Sequence, residues 1–204
     1  MPIVDGLTLA SGVTLYFIRH GETDWNVAQR YQGQSDIPLN DTGRAQAGRN
    51  GRALFEQLKQ HARSFDYVAS PLSRTTETMQ IVRHGLGLLP DDFRRDARLK
   101  EQHFGHWEGR LWGDLPKSDP EGFAARMADT WNWVPRGGES YAMLQARVEA
   151  WLDGISRDTV TVSHGNVGRL VRGLVLKLDH AVVTKLEAPQ DKVLHLRDGR
   201  AEWI

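Results

Sequence analysis

"VTLYFIRHGE", residues 13–22, decides the fold. Val13 to Ile18 form a β-branched, aromatic and aliphatic run, the pattern expected of a strand buried on both faces. The run breaks off at Arg19-His20-Gly21-Glu22, and a cation beside a histidine does nothing for the packing of such a strand. "FDYVAS" repeats the grammar, running into Ser70-Pro71, and "DTVTVSHGN" repeats it again, ending on His164-Gly165. Between these runs the spacing is helical. Ala45, Ala47, Ala53, Leu54 and Leu58 mark a helix to about Gln60, after the turn-rich "QGQSDIPLNDTG". A second helix starts near Ser73 and Arg74 and meets a glycine stop at Gly85. Tyr141, Leu144, Val148, Trp151 and Leu152 mark a third, and "VGRLVRGLVLKL" a fourth. Residues 94–99 read as a short strand, and "KVLHLRDGRAEWI" as a hairpin turning at Asp198-Gly199. Alternating strands and helices predict an α/β three-layer sandwich, a mostly parallel central sheet with helices on both faces. Arg19, His20, Ser70 and His164 then share the carboxyl edge of that sheet, where ligands bind in such folds. The expected organisation is one domain over residues 1–204, with a Trp-, Gly- and Pro-rich lid-like insertion at about 102–138 that shows only weak helical signals.

Composition narrows the function. At 204 residues with 40% hydrophobic content, the chain suffices for one sizeable core. Lys plus Arg and Asp plus Glu both total 26, so no global field favours nucleic acid or an anionic membrane. Cysteine is absent, which removes disulfides, thiolate nucleophiles and thiolate metal sites. "MPIVDGLTLASG" has no basic segment leading into a long apolar core, and no apolar run approaches a membrane span. A cytoplasmic location without membrane or nucleic-acid partners is expected, and oligomeric state is not encoded in any motif.

A phosphomonoester site needs cationic donors around the phosphoryl oxygens, a nucleophile in line with the leaving oxygen, and an acid for that oxygen. The strand-end residues supply each. His20 can attack through a ring nitrogen, dividing one displacement into two. Arg19 and Arg74 can hold the oxygens and disfavour a proton on His20. His164 can add a hydrogen bond, with Gly165 letting the backbone approach. Glu101 is the candidate acid, since a carboxyl beside a bound dianion holds its proton until the leaving oxygen takes it; Glu108 shares its loop. His103 and His106 lack a third ligand and read as surface histidines rather than a metal site. Trp107, Trp112, Trp131 and Trp133 either line a pocket for an organic leaving group or pack the insertion onto the sheet. Arg110, Lys117 and Arg136 either read a second anion or are surface charge.

"RHGETDWN", "SPLSRTTET", "LKEQHFGHWEG" and "VSHGN" occur in this order, and with them the sequence resembles the histidine phosphatase superfamily, in the branch that also contains the cofactor-dependent phosphoglycerate mutases. The resemblance runs from residue 14 to about 175. It implies a phosphomonoesterase acting on a small phosphorylated metabolite, with His20 the phosphorylated nucleophile, Arg19, Arg74 and His164 the phosphate pocket, and Glu101 the proton donor. It further implies secondary phosphate or substrate contacts at Thr23, Asn26, Gln32, Gly33 and Gly165, and no metal or dissociable cofactor. The adjacent arginine pair and the lysine of the mutases have no counterpart here, with Leu111-Trp112 standing about where the lysine would be, so hydrolysis is expected. Asn166 after His164-Gly165 is mutase-like and keeps a mutase as the alternative. A non-catalytic phospho-ligand binder would need neither His20 nor Glu101.

Overall fold

The computed structural model describes residues 9–204; residues 1–8 lie outside the described residues. In chain order, β1 (Thr14–Arg19) passes through the single turn α1 (Asp24–Val27) into α2 (Asp41–Leu58). β2 (Asp66–Ala69) is followed by α3 (Ser73–Gly85) and the two-residue β3 (Arg94–Arg95). Next come α4 (Leu115–Ser118), α5 (Pro120–Ala128), α6 (Tyr141–Leu152), β4 (Thr159–Ser163), α7 (Gly165–Leu176), α8 (His180–Val183) and the hairpin of β5 (Val193–Arg197) and β6 (Arg200–Trp203). The sheet order is β3-β2-β4-β1-β5-β6. The first three pairings are parallel, and the two involving the hairpin are antiparallel. The mostly parallel three-layer expectation holds.

β1 shows why. Its side chains alternate between two apolar layers. Leu15 and Phe17 join the core under α6 and α7, with Leu144, Val148, Leu170 and Leu174. Tyr16 and Ile18 join the core under α2 and α3, with Leu54, Met79 and Val82. A buried aliphatic side chain contributes about 1.5–3 kcal/mol, so a central strand apolar on both faces is fixed in register by both layers. β4 carries valines on one face and hydroxyls on the other. Thr161 Oγ1 donates to the Val68 carbonyl at 3.0 Å and Ser163 Oγ to the Leu99 carbonyl at 2.7 Å, so no polar group is left without a partner.

Three boundaries differ from expectation. α2 begins four residues before Ala45, because Asn40 caps it by accepting from Gly43 N at 2.9 Å. The predicted strand at 94–99 stops after Arg95: Asp96 accepts from Arg98 N at 2.9 Å and turns the chain into a 3-10 turn. Residues 102–138 hold more helix than their sequence suggested. Pro116 and Pro120 sit in the first turns of α4 and α5, and Asp119 caps α5 by accepting from Gly122 N at 3.1 Å. This segment has its own small core of Phe104, Trp107 and Leu115, flanked by Tyr31, Phe123 and Trp133. The hairpin turns as expected, with Asp198 and Gly199 at φ of 46° and 72°.

Candidate active site

β4 lies between β1 and β2, so the carboxyl ends of all three strands converge. His20 N donates to the Ser163 carbonyl at 2.9 Å and Ser70 N to the Val162 carbonyl at 3.0 Å. Past His20 the chain runs against the start of α2, where Gly21 and Gly43 are packed so closely that a Cβ on either would strike the other strand of backbone. That contact holds the His20 main chain in place.

His20 is buried, and its Nδ1–H donates to the Gly21 carbonyl at 2.7 Å. This fixes the tautomer and leaves Nε2 with a lone pair, which accepts from Arg74 Nε at 3.3 Å. Burial, then the Arg74 and Arg19 guanidiniums, hold the His20 pKa well below its ordinary value. The imidazole is neutral at pH 7. Arg74, wholly buried in the first turn of α3, also donates from Nη1 to the Ser35 carbonyl and from Nη2 to the Gly33 carbonyl, both at 2.8 Å. Arg19 donates from Nη1 to the Ala188 carbonyl at 2.7 Å, and its buried Nε has no partner. Burial lowers its pKa to about 10, still cationic at pH 7. An unpartnered guanidinium N–H in a buried cationic pocket is a donor waiting for an anion.

Glu101 is aimed by main chain: Oε1 accepts from Gln102 N at 2.9 Å and Oε2 from Asn166 N at 3.2 Å. Asn166 Nδ2 donates to Gln102 Oε1 at 2.9 Å, and Asn166 Oδ1 accepts from Tyr141 at 2.5 Å and from Arg169 at 2.6 Å. The two carboxylates of the loop therefore have different surroundings. Glu108 accepts from Gln34 N, Ser35 N, Ser35 Oγ and Phe104 N, and so ties down the loop whose carbonyls hold Arg74. Glu101, unlike Glu108, faces the cavity.

That cavity, of about 160 Å³, is walled by Arg19, His20, Asn26, Gln32, Gly33, Arg74, Glu101 and Gly165 among the expected residues. Two expected residues stand back from it. Thr23 is wholly buried and spends its hydroxyl in a capping box with Asn26 at the start of α1. His164 lies behind His20, ring centroids 5.2 Å apart, with Nε2 bonded to Ser70 Oγ at 2.8 Å and Nδ1 unpartnered. Its pKa is also well below the ordinary value, first by burial and then by Arg74.

Arg30, Tyr31, Phe104, Asn166 and Arg169 complete the wall, and the same five also line an outer cleft of about 660 Å³ with Trp112, Arg126 and Lys185. Asn166 apart, none had been assigned a role from sequence. Arg169 was within reach, four residues beyond Gly165 on one helix face, as were Arg30 and Tyr31 directly before Gln32. Gln190, which donates to the His20 carbonyl at 3.1 Å and to Asn26 Oδ1 at 3.0 Å, left no such signal. The tryptophans divide. Trp107 and Trp133 pack the insertion, Trp131 stacks on His180 and Tyr141, and Trp112 lines the cleft. Arg110 and Arg136 flank His106 and Asp119 elsewhere on the insertion. Among the described residues no group of three or more His, Asp or Glu is arranged to hold a metal ion, and no helix is long and apolar enough to cross a membrane.

Known proteins resemble this chain in sequence and fold. An Arabidopsis thaliana protein named phosphoglycerate mutase-like protein 4 is 34% identical over 74% of this chain and 66% of its own length. The adenosylcobalamin/alpha-ribazole phosphatase of Salmonella typhimurium is 34% identical over 82% of this chain and 81% of its own. The crystal structure of the alpha-ribazole phosphatase from Shigella flexneri superposes with a TM-score of 0.79 at 26% identity, covering 94% of this chain and 95% of that one. The family model for the histidine phosphatase superfamily (branch 1) matches residues 15–203, and the chain belongs to that family.

Proposed function

We propose that the chain is a phosphomonoesterase that hydrolyses a small phosphorylated metabolite through a phosphohistidine on His20. One observation carries this reading: the His20 tautomer is fixed by Gly21, so a neutral, buried Nε2 faces a cavity otherwise walled by Arg19, Arg74 and a free-faced Glu101. Nε2 attacks phosphorus as the bond to the leaving oxygen breaks, and Glu101, carrying a proton, gives it to that oxygen. Arg19 and Arg74 take up the charge on the equatorial oxygens, and His164, packed behind His20, supports the ring of the nucleophile. Water then attacks phosphorus as Glu101 accepts its proton, the P–Nε2 bond breaks, and inorganic phosphate leaves with His20 neutral again. Asn26, Gln32, Gly33 and Gly165 shape the phosphate end of the cavity, and residues 102–138 form a lid within a single domain.

The cavity opens directly into the outer cleft, which supports water as the acceptor. Asn166 does not favour a mutase, because its main-chain N–H serves the acid that both reactions need. Phosphate release from p-nitrophenyl phosphate, with acid-labile phosphoenzyme, tests the mechanism: wild type shows both and His20→Ala neither. Ordinary turnover by His20→Ala would sink it. Isomer exchange of 3-phosphoglycerate outrunning phosphate release would favour the mutase, and tight binding without phosphoenzyme the non-catalytic binder. A cytoplasmic location and independence of metal and nucleic acid belong to the same proposal; turnover undiminished by EDTA checks the metal part.

A further inference from the structure

The charge around the outer cleft is one-sided. Arg30, Arg126, Arg169 and Lys185 line it, and no Asp or Glu does. In a chain with 26 cationic and 26 acidic side chains, this is a local arrangement rather than an overall excess. Some arginines elsewhere have carboxylates: Arg44 meets Asp41 and Glu77, Arg98 meets Asp96, and Arg147 meets Glu139. Among the described residues, none of the four cleft cations has a carboxylate within 4.0 Å, and the Arg126 and Lys185 side chains donate no hydrogen bond within the protein. Beside them is an aromatic surface, with the Tyr31 and Trp112 rings inclined at 47° to one another. Tyr31 lies 5.6 Å from Trp112, ring centroid to ring centroid, Trp112 is 40% exposed, and the Arg126 guanidinium sits 5.0 Å over its ring.

Like charges collected without counter-charges repel one another, and that cost is recovered when an anion binds among them. The inner pocket already takes the phosphoryl group with Arg19 and Arg74, so these outer cations are left for another. We infer that the outer cleft is a second anion site, and that the preferred substrate is a phosphomonoester whose leaving group carries a carboxylate or second phosphate beyond a flat or compact apolar portion. That portion lies against Tyr31 and Trp112, and the far anion lies among Arg126, Lys185 and Arg169. The inference rests on the phosphate reading of the inner pocket. The alternative is that the outer cations only steer the phosphoryl group inward, which gives no preference among leaving groups.

Two non-hydrolysable ligands separate these cases. 4-Carboxybenzylphosphonate and its neutral counterpart 4-carbamoylbenzylphosphonate share size, plane and phosphonate and differ in the far charge. Titration calorimetry of the full chain is expected to show the carboxylate bound about tenfold more tightly. Arg126→Gln and Lys185→Gln, each on an accessible side chain, are expected to reduce that ratio severalfold, and the double variant to bring it near one. Equal affinities in wild type, a ratio unmoved by both variants, or binding of neither phosphonate would overturn the inference. Hydrolysis of p-nitrophenyl phosphate, followed separately, reports on the phosphatase reading alone. Turnover with equal phosphonate affinities sinks only this inference; a carboxylate preference without turnover sinks only the reaction.

Discussion

The inner pocket and the outer cleft share a wall and are built in opposite ways. Inside, each working side chain is held by the protein's own backbone: His20 by Gly21, Arg74 by Gly33 and Ser35, Arg19 by Ala188, Glu101 by Gln102 and Asn166. Outside, Arg126 and Lys185 project from α5 and from the turn after α8 with no hydrogen-bond or carboxylate partner among the described residues. The inner design suits a group that never changes, the phosphoryl, because fixed donors need no reorganisation when charge develops. The outer design suits a group that differs between substrates. Substitutions should therefore be catastrophic for chemistry inside and should alter preference, or nothing, outside.

After the loss of His20 itself, the largest effect is expected at Arg74. Lysine keeps the charge but cannot donate at once to Gly33, Ser35 and the ligand. Arg74→Lys should lower kcat/KM for p-nitrophenyl phosphate about a thousandfold, roughly 4 kcal/mol of transition-state stabilisation. A loss under tenfold would mean that the inner pocket tolerates loose positioning, and the contrast with the cleft would fail. Glu101→Gln comes next, at about a hundredfold in kcat for an alkyl phosphate, whose leaving oxygen needs a proton. With p-nitrophenyl phosphate the first step needs little acid, so phosphoenzyme should accumulate in a rapid burst. Phosphoenzyme formation slowed equally for the two leaving groups would remove Glu101 from the proton transfer to the leaving oxygen.

Glu108→Gln should fall between the two regions, since the residue reaches the chemistry only through the loop holding Arg74. A neutral amide cannot accept as well from Gln34, Ser35 and Phe104, and about 2 kcal/mol of stability with about tenfold in kcat/KM is expected. Urea unfolding and steady-state kinetics read both. If stability fell and kinetics did not, Glu108 would belong to the insertion alone.

How legible these regions were in the sequence follows the same division. The inner pocket comes from contiguous motifs at strand ends, where a polar residue interrupts a buried run and stands out. Arg19 and His20 were readable for that reason, Arg74 from its helix start and Glu101 from the motif around it. The outer cleft draws its residues from seven separated segments, and Arg126 or Lys185 in isolation looks like any surface cation. The motif position of Thr23 is also a helix N-cap, and the cap is where its hydroxyl lies. The helices at 115–128 were missed because their signals are caps and prolines rather than apolar periodicity, in a segment dominated by tryptophan and glycine.

The buried histidines give a smaller, pH-dependent effect. Both have folded-state pKa values well below the unfolded value of about 6.5. As pH falls the unfolded chain binds protons first, so their contribution is complete above about pH 6.5 and is lost as pH drops towards the folded values. Each histidine should cost about 1 kcal/mol between pH 7 and 5.5 without phosphate. His164→Asn should remove about half of this shared loss in urea titrations at the two pH values. An unchanged pH dependence would mean that His164 is not held neutral by its burial.

The smallest effect is expected at Arg136, a cation on the insertion but outside the cleft. If position rather than charge distinguishes Arg126 and Lys185, then Arg136→Gln, although it removes the same unit charge, should leave stability within about 0.5 kcal/mol. It should likewise leave the ratio of carboxylate to amide phosphonate affinity unchanged within about twofold, because Arg136 faces His106 and Asp119 instead of Tyr31 and Trp112. A drop as large as that for Arg126→Gln would mean that the ligand responds to the summed charge of the insertion, and the cleft would lose its claim to be a site.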